Sequence, residues 1–200
     1  PTPNVPTNFT ITNVTSTSLH LAWTDASNNE TGFRIYRSLT GAVGSYVLVS
    51  GDLPAGTQSF DDTSLAIGTS YYYTVNAFNE TGQSAGAFNV KATLAITPNP
   101  VMVLNSSYHY ITVTIDDTVK INNGQNPDGT KMAIRVQYNS LSKYVQSDGT
   151  LGDNTVWNSF TDWGGTNGIK INELASTTSY TISVKAKNPD DVQTGFSTAT

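Results

Sequence analysis

The chain has 200 residues, of which 12% are charged and 37% hydrophobic, with a net charge of −5 and no cysteine. Ten basic residues against fifteen acidic ones are a poor match for a run of phosphates, so no nucleic-acid partner is expected. The missing cysteine excludes a disulfide scaffold, a thiol nucleophile and a thiolate metal site, and no apolar run approaches the ~18 residues of a membrane-spanning helix, so no membrane insertion is expected. Polarity is carried instead by 50 Ser and Thr and 19 Asn. The length suits one large domain or two of about 100 residues, each able to hold its own core. The start, Pro1-Thr2-Pro3, has neither Met nor an apolar signal segment, which leads us to expect a piece of a longer chain.

In chain order, the predicted elements alternate with period two. Residues 18–24 place Leu19, Leu21 and Trp23 on one face and His20 and Ala22 on the other. The same alternation runs through Phe33-Arg34-Ile35, residues 71–77 and residues 111–115, between turn clusters at 28–32, 79–82 and 126–129. Short β-branched and aromatic strands at this spacing predict an antiparallel sandwich or barrel. Pro98 and Pro100 break the pattern, since two prolines two apart do not fit a central strand, and they read as an extended linker.

Beyond the linker the first half repeats. Leu65, then Tyr71, Tyr73, Val75 and Ala77, is matched at identical spacing by Leu174, then Tyr180, Ile182, Val184 and Ala186, and the strand ends at Asn79 in one copy and Asn188 in the other. The run from Leu65 through Gly68-Thr69 to Tyr71 resembles strands E to F of fibronectin type III domains. There the tyrosine forms a corner, its hydroxyl bonded to backbone a few residues upstream. The resemblance assigns that structural role to Tyr71 and Tyr180, makes Trp23 the family's core tryptophan with Ile115 in its place in the second half, and fits Pro6 near the first strand. The proline usual before Gly-Thr is replaced by Ile67 and Ser176. The expected fold class is therefore all-β: two consecutive immunoglobulin-like, fibronectin type III sandwiches, over residues 1–96 and 97–200. The second has a longer loop at 116–130 and an insertion of about ten residues before its corner. Its Trp157, Trp163-Gly164 and residues 185–190 look like a variant common in bacterial surface and secreted proteins.

Catalysis has no visible home. His20 and His109 are about 90 residues apart on separate copies, and no nucleophile elbow, phosphate loop or zinc-binding His pair appears. The acidic pairs Asp61-Asp62, Asp116-Asp117 and Asp190-Asp191, and above all the loop at 148–154, have oxygens for calcium but lack carboxylates at alternate positions. Asx turns account for them more simply, so no metal and no cofactor is expected. Five Asn-x-Ser/Thr sequons, at Asn8, Asn13, Asn29, Asn79 and Asn105, are about the number chance yields in this composition and carry no information. No Arg-Gly-Asp is present.

Two aromatic groups remain as binding candidates. Trp157, Phe160 and Trp163 in the insertion either stack on sugar or pack against the sandwich. In the first copy Arg34, Tyr36, Tyr72 and Phe78 fall on the outward face of strands C and F, while the second copy has Arg135, Gln137, Thr181, Ser183, Lys185 and Lys187 there, a polar and mildly basic face. The expected function is a non-catalytic extracellular or cell-surface spacer or adhesion pair, bacterial, that positions neighbouring domains of a larger chain or contacts a protein or glycan partner. Two alternatives stay open: a carbohydrate-binding accessory module of a secreted glycoside hydrolase, and a surface-layer or filament subunit.

Overall fold

A computed structural model describes residues 1–115, 126–127 and 129–200. The chain divides into two compact units, Pro1–Leu94 and Ala95–Thr200. Ala95 and Ile96 thus go with the second unit rather than the first. Ala95 packs against the second core, and the Asn126 side chain holds the Ile96 backbone at both ends, accepting from its N–H at 2.9 Å and donating to its carbonyl at 2.7 Å. Most of the loop at 116–130, with Asp116, Asp117 and Asp128, lies outside the described residues.

The first unit is a sandwich of two antiparallel sheets. One consists of β1 (Thr7–Thr12), β2 (Leu19–Thr24) and β6 (Ser59–Asp62), in the order β1-β2-β6. In the other, β3 (Gly32–Ser38) and β7 (Ser70–Asn79) form the centre, flanked by the short β4 (Val47–Leu48), β5 (Leu53–Pro54) and β8 (Gly82–Gln83), with β9 (Ala87–Ala92) on β7. Alternation dictates the core: Leu19, Leu21 and Trp23 from β2 meet Phe33 and Ile35 from β3 and Tyr71, Tyr73, Val75 and Ala77 from β7, all buried. The Trp23 and Phe33 rings lie 5.6 Å apart across the sheets.

The second unit repeats the plan. β10 (Val101–Ser107), β11 (Tyr110–Ile115) and β15 (Ile169–Ile171) form one sheet; β14 (Leu151–Gly152), β13 (Leu141–Val145), β12 (Lys131–Tyr138) and β16 (Thr181–Lys187) form the other, in that order. Its core takes Val113 and Ile115 from β11, Ile134 and Val136 from β12, and Ile182, Val184 and Ala186 from β16. Ile115 is smaller than its counterpart Trp23, and the insertion supplies an indole instead. Trp163 is 2% exposed and its Nε1–H donates to the Met132 carbonyl at 2.8 Å.

Both tyrosine corners are formed. The Ala66 N–H donates to the Tyr71 hydroxyl at 2.8 Å and the Ala175 N–H to the Tyr180 hydroxyl at 2.8 Å. In each copy the leucine six residues before the tyrosine ties the same turn to the first hairpin, Leu65 N–H to the Thr17 carbonyl and Leu174 N–H to the His109 carbonyl. Each strand then stops at an Asx turn, with Asn79 accepting from Thr81 N–H and Asn188 from Asp190 N–H. Tyr71→Phe and Tyr180→Phe should each lower the stability of their own unit by about 0.5–1.5 kcal/mol, the net worth of one such bond. Thermal melts of both variants check this; two unmoved melts would remove the corners from the account.

Candidate functional site

Cross-strand register builds the outward face of the first unit. Pairing Gly32 with Phe78, Arg34 with Asn76, Tyr36 with Thr74 and Ser38 with Tyr72 puts Arg34, Tyr36, Tyr72 and Phe78 on the side facing away from the core. Within that face they form separate local contacts. The Arg34 guanidinium lies 4.1 Å above the Phe78 ring and makes two bonds to Asp52, at 2.5 and 3.0 Å, which hold the Asp52 carboxyl below its ordinary range. Gln83 donates to the Tyr36 hydroxyl at 2.9 Å. Tyr72 stands diagonal to Tyr36 and beside Phe88, with ring centroids 6.3 Å apart. The strip extends to residues whose contribution sequence reading missed: Leu48 opposite Tyr36, Phe88 opposite Thr74 and Val90 opposite Tyr72, exposed by 46%, 56% and 42%. Their signal was the register of the edge strands, invisible until β4 and β9 are paired.

The two tryptophans of the insertion part company. Trp163 is a core residue, so its place as a binding platform is corrected: the backbone turns at Gly164, Gly165 and Gly168, all at positive φ, and aims the indole inward at β12. Trp157 stays half-buried at the surface, with the Lys185 and Lys187 ammonium groups 5.2 and 5.0 Å from its ring. Phe160 packs against the second core.

Among the described residues, acidic candidates of the first unit and of the loop at 148–154 face partners of their own. Asp61 pairs with His20 across β2 and β6, while Asp62 turns inward. Asp148 accepts from the N–H and hydroxyl of Thr150, which lower its carboxyl below the ordinary range, and Asp153 pairs with Lys143. The loop at 148–154 is therefore an Asx turn with an ion pair at its end. His109 sits in the exposed turn before β11.

Asp62 forms an unanticipated link between the sheets. From the end of β6 it accepts from Arg37 of β3 at 2.8 and 2.9 Å and from the Tyr73 hydroxyl of β7 at 2.8 Å. Burial, with this hydrogen bond, pushes the Tyr73 phenol far above its ordinary value. The arrangement is a structural clamp.

Known proteins agree with this architecture. Residues 4–93 match the fibronectin type III domain profile. A two-domain fibronectin type III segment from chicken tenascin superposes with a TM-score of 0.63, covering 96% of this chain and 95% of that one at 14% identity. Exoglucanase B of Cellulomonas fimi is 30% identical over 195 residues, 93% of this chain, so the chain spans only 15% of that relative's length. The first unit is a fibronectin type III domain, and the chain as a whole is a tandem of two fibronectin type III-like β-sandwiches.

Proposed function

We propose that the chain is a non-catalytic spacer within a secreted, multidomain protein that acts on polysaccharide, and that it sets the distance between the domains on either side. The observation that carries this is the extent of the match to Exoglucanase B. Both units align in one run of 195 residues, yet that run is a small part of the relative. A pair carried together inside a much larger enzyme is what a spacer requires. Two sandwiches with their own cores supply length without long flexible chain, and Pro98 and Pro100 stiffen the segment that follows the first unit.

The test places this chain between a glucan hydrolase domain and a glucan-binding domain. We expect unchanged turnover of small dissolved oligosaccharides and altered turnover of insoluble glucan relative to direct fusion. Hydrolysis by the excised chain alone, or identical activity of the two fusions on insoluble glucan, would overturn the reading. A second reading, contact with a neighbouring domain or partner protein, rests on the exposed Leu48, Phe88 and Val90 beside Tyr72. The Tyr72→Ser, Phe88→Ser double variant separates the two, because a pure spacer keeps its effect on insoluble glucan and an adhesive face loses it.

A further inference from the structure

The outward face of the second unit carries more than the polar, mildly basic residues that strand alternation predicts. Register places Tyr144, Arg135 and Ser183 side by side, with Lys185 and Lys187 farther along β16 opposite Ala133 and Lys131. Three rings from separate stretches, Tyr144, Trp157 and Phe196, gather among these cations. The Arg135 guanidinium lies 3.7 Å from the Phe196 centroid, and the Lys185 ammonium lies 5.0, 5.2 and 5.9 Å from Phe196, Trp157 and Tyr144. Ala133 and Ser183, on this outward side of the sheet, are buried beneath them at 0% and 1% exposure.

The charge of this layer is unbalanced. Arg34, Arg37, Lys131, Lys143 and Lys187 each pair with an Asp. Among the described residues Arg135 and Lys185 have no carboxylate partner: Arg135 donates to the Ser183 hydroxyl at 3.2 Å and Lys185 to the Gln193 amide oxygen at 2.8 Å. An aromatic face attracts a cation without neutralising it. Two positive groups are thus held in fixed places beside half-buried rings, in a chain whose net charge is −5. A carboxylate arriving there would gain charge-assisted bonds to both, and the adjoining rings offer the apolar surface that the face of a sugar matches.

We propose that this face binds an acidic polysaccharide, with uronate carboxylates on Arg135 and Lys185 and the sugar ring against the Trp157–Phe196 side. The choice of a glycan over other polyanions rests on the reading of the chain as part of a polysaccharide-active protein; the anion site rests on the geometry. Affinity electrophoresis of the whole chain in gels containing polygalacturonate tests it, with neutral glucan and single-stranded RNA as comparison gels. We expect retardation by polygalacturonate alone, lost at high salt and weakened at least about tenfold in the Arg135→Gln, Lys185→Gln double variant but not in Lys170→Gln on β15 of the opposite sheet. Polygalacturonate should also shield Trp157 of the unaltered chain from acrylamide quenching, a readout that needs no variant. Absence of retardation, equal retardation of the double variant, or an unshielded Trp157 would overturn the proposal, and equal retardation by RNA would overturn its sugar component. None of these outcomes depends on the fusion assay, so the two readings fail separately.

Discussion

Trp163→Ala lowers the stability of the second unit by about 3–5 kcal/mol, the usual cost of emptying a buried aromatic site. Sequence alone leaves this residue open between a sugar platform and packing against the sandwich, so the size of the effect is diagnostic. At 2% exposure the indole belongs to the same buried cluster as Ile115, which stands where the first unit has Trp23, and its N–H donates to the Met132 carbonyl of β12 beside the Asn158 N–H. Removing it leaves both a cavity and an acceptor deprived of its indole donor. Trp163→Phe keeps part of the volume but loses the rest together with the hydrogen bond, so it should fall between wild type and Ala. Trp157→Ala, at the half-buried surface, should change stability far less. Chemical denaturation followed by tryptophan fluorescence and circular dichroism measures all three; an exposed platform at Trp163 would make its Ala variant as mild as that of Trp157.

Asp62→Ala is expected to cost the first unit a similar ~3–5 kcal/mol, for a different physical reason. Asp62 is 6% exposed and receives bonds from Arg37 and Tyr73, so the variant leaves a guanidinium and a phenol without their shared acceptor at the seam between two sheets. The neighbouring Asp61→Ala, which only breaks the surface pair with His20, serves as the control and should cost about 0–1 kcal/mol. Urea denaturation of the two variants decides the matter. Equal effects would mean that the clamp contributes no more than a surface ion pair.

The sandwich, the repeat and the tyrosine corners were legible because each is written in a fixed spacing. Period two assigns faces, and the run from Leu65 to Tyr71 recurs without a gap at Leu174 to Tyr180. The inward clamp went unread, although alternation from Phe33 and Ile35 carries Arg37 to the core side and an inward arginine needs an anion. Its partner was hidden in the pair Asp61-Asp62, which sequence offered only as calcium oxygens or Asx turns. For Trp163 the sequence left packing and a sugar platform both open, because its direction is set by three glycines at positive φ and one long-range hydrogen bond rather than by a period. The aromatic layer over Lys185 was hidden for the same reason: Trp157 and Phe196 come from irregular stretches about 40 residues apart, joined only by the fold.

The central claim is that two separately cored modules follow one another in this chain, and scanning calorimetry of the intact chain with Trp23→Ala and Trp163→Ala tests it most directly. The account predicts two transitions, one lowered by Trp23→Ala alone and the other by Trp163→Ala alone. A single cooperative transition that both variants shift equally would contradict it.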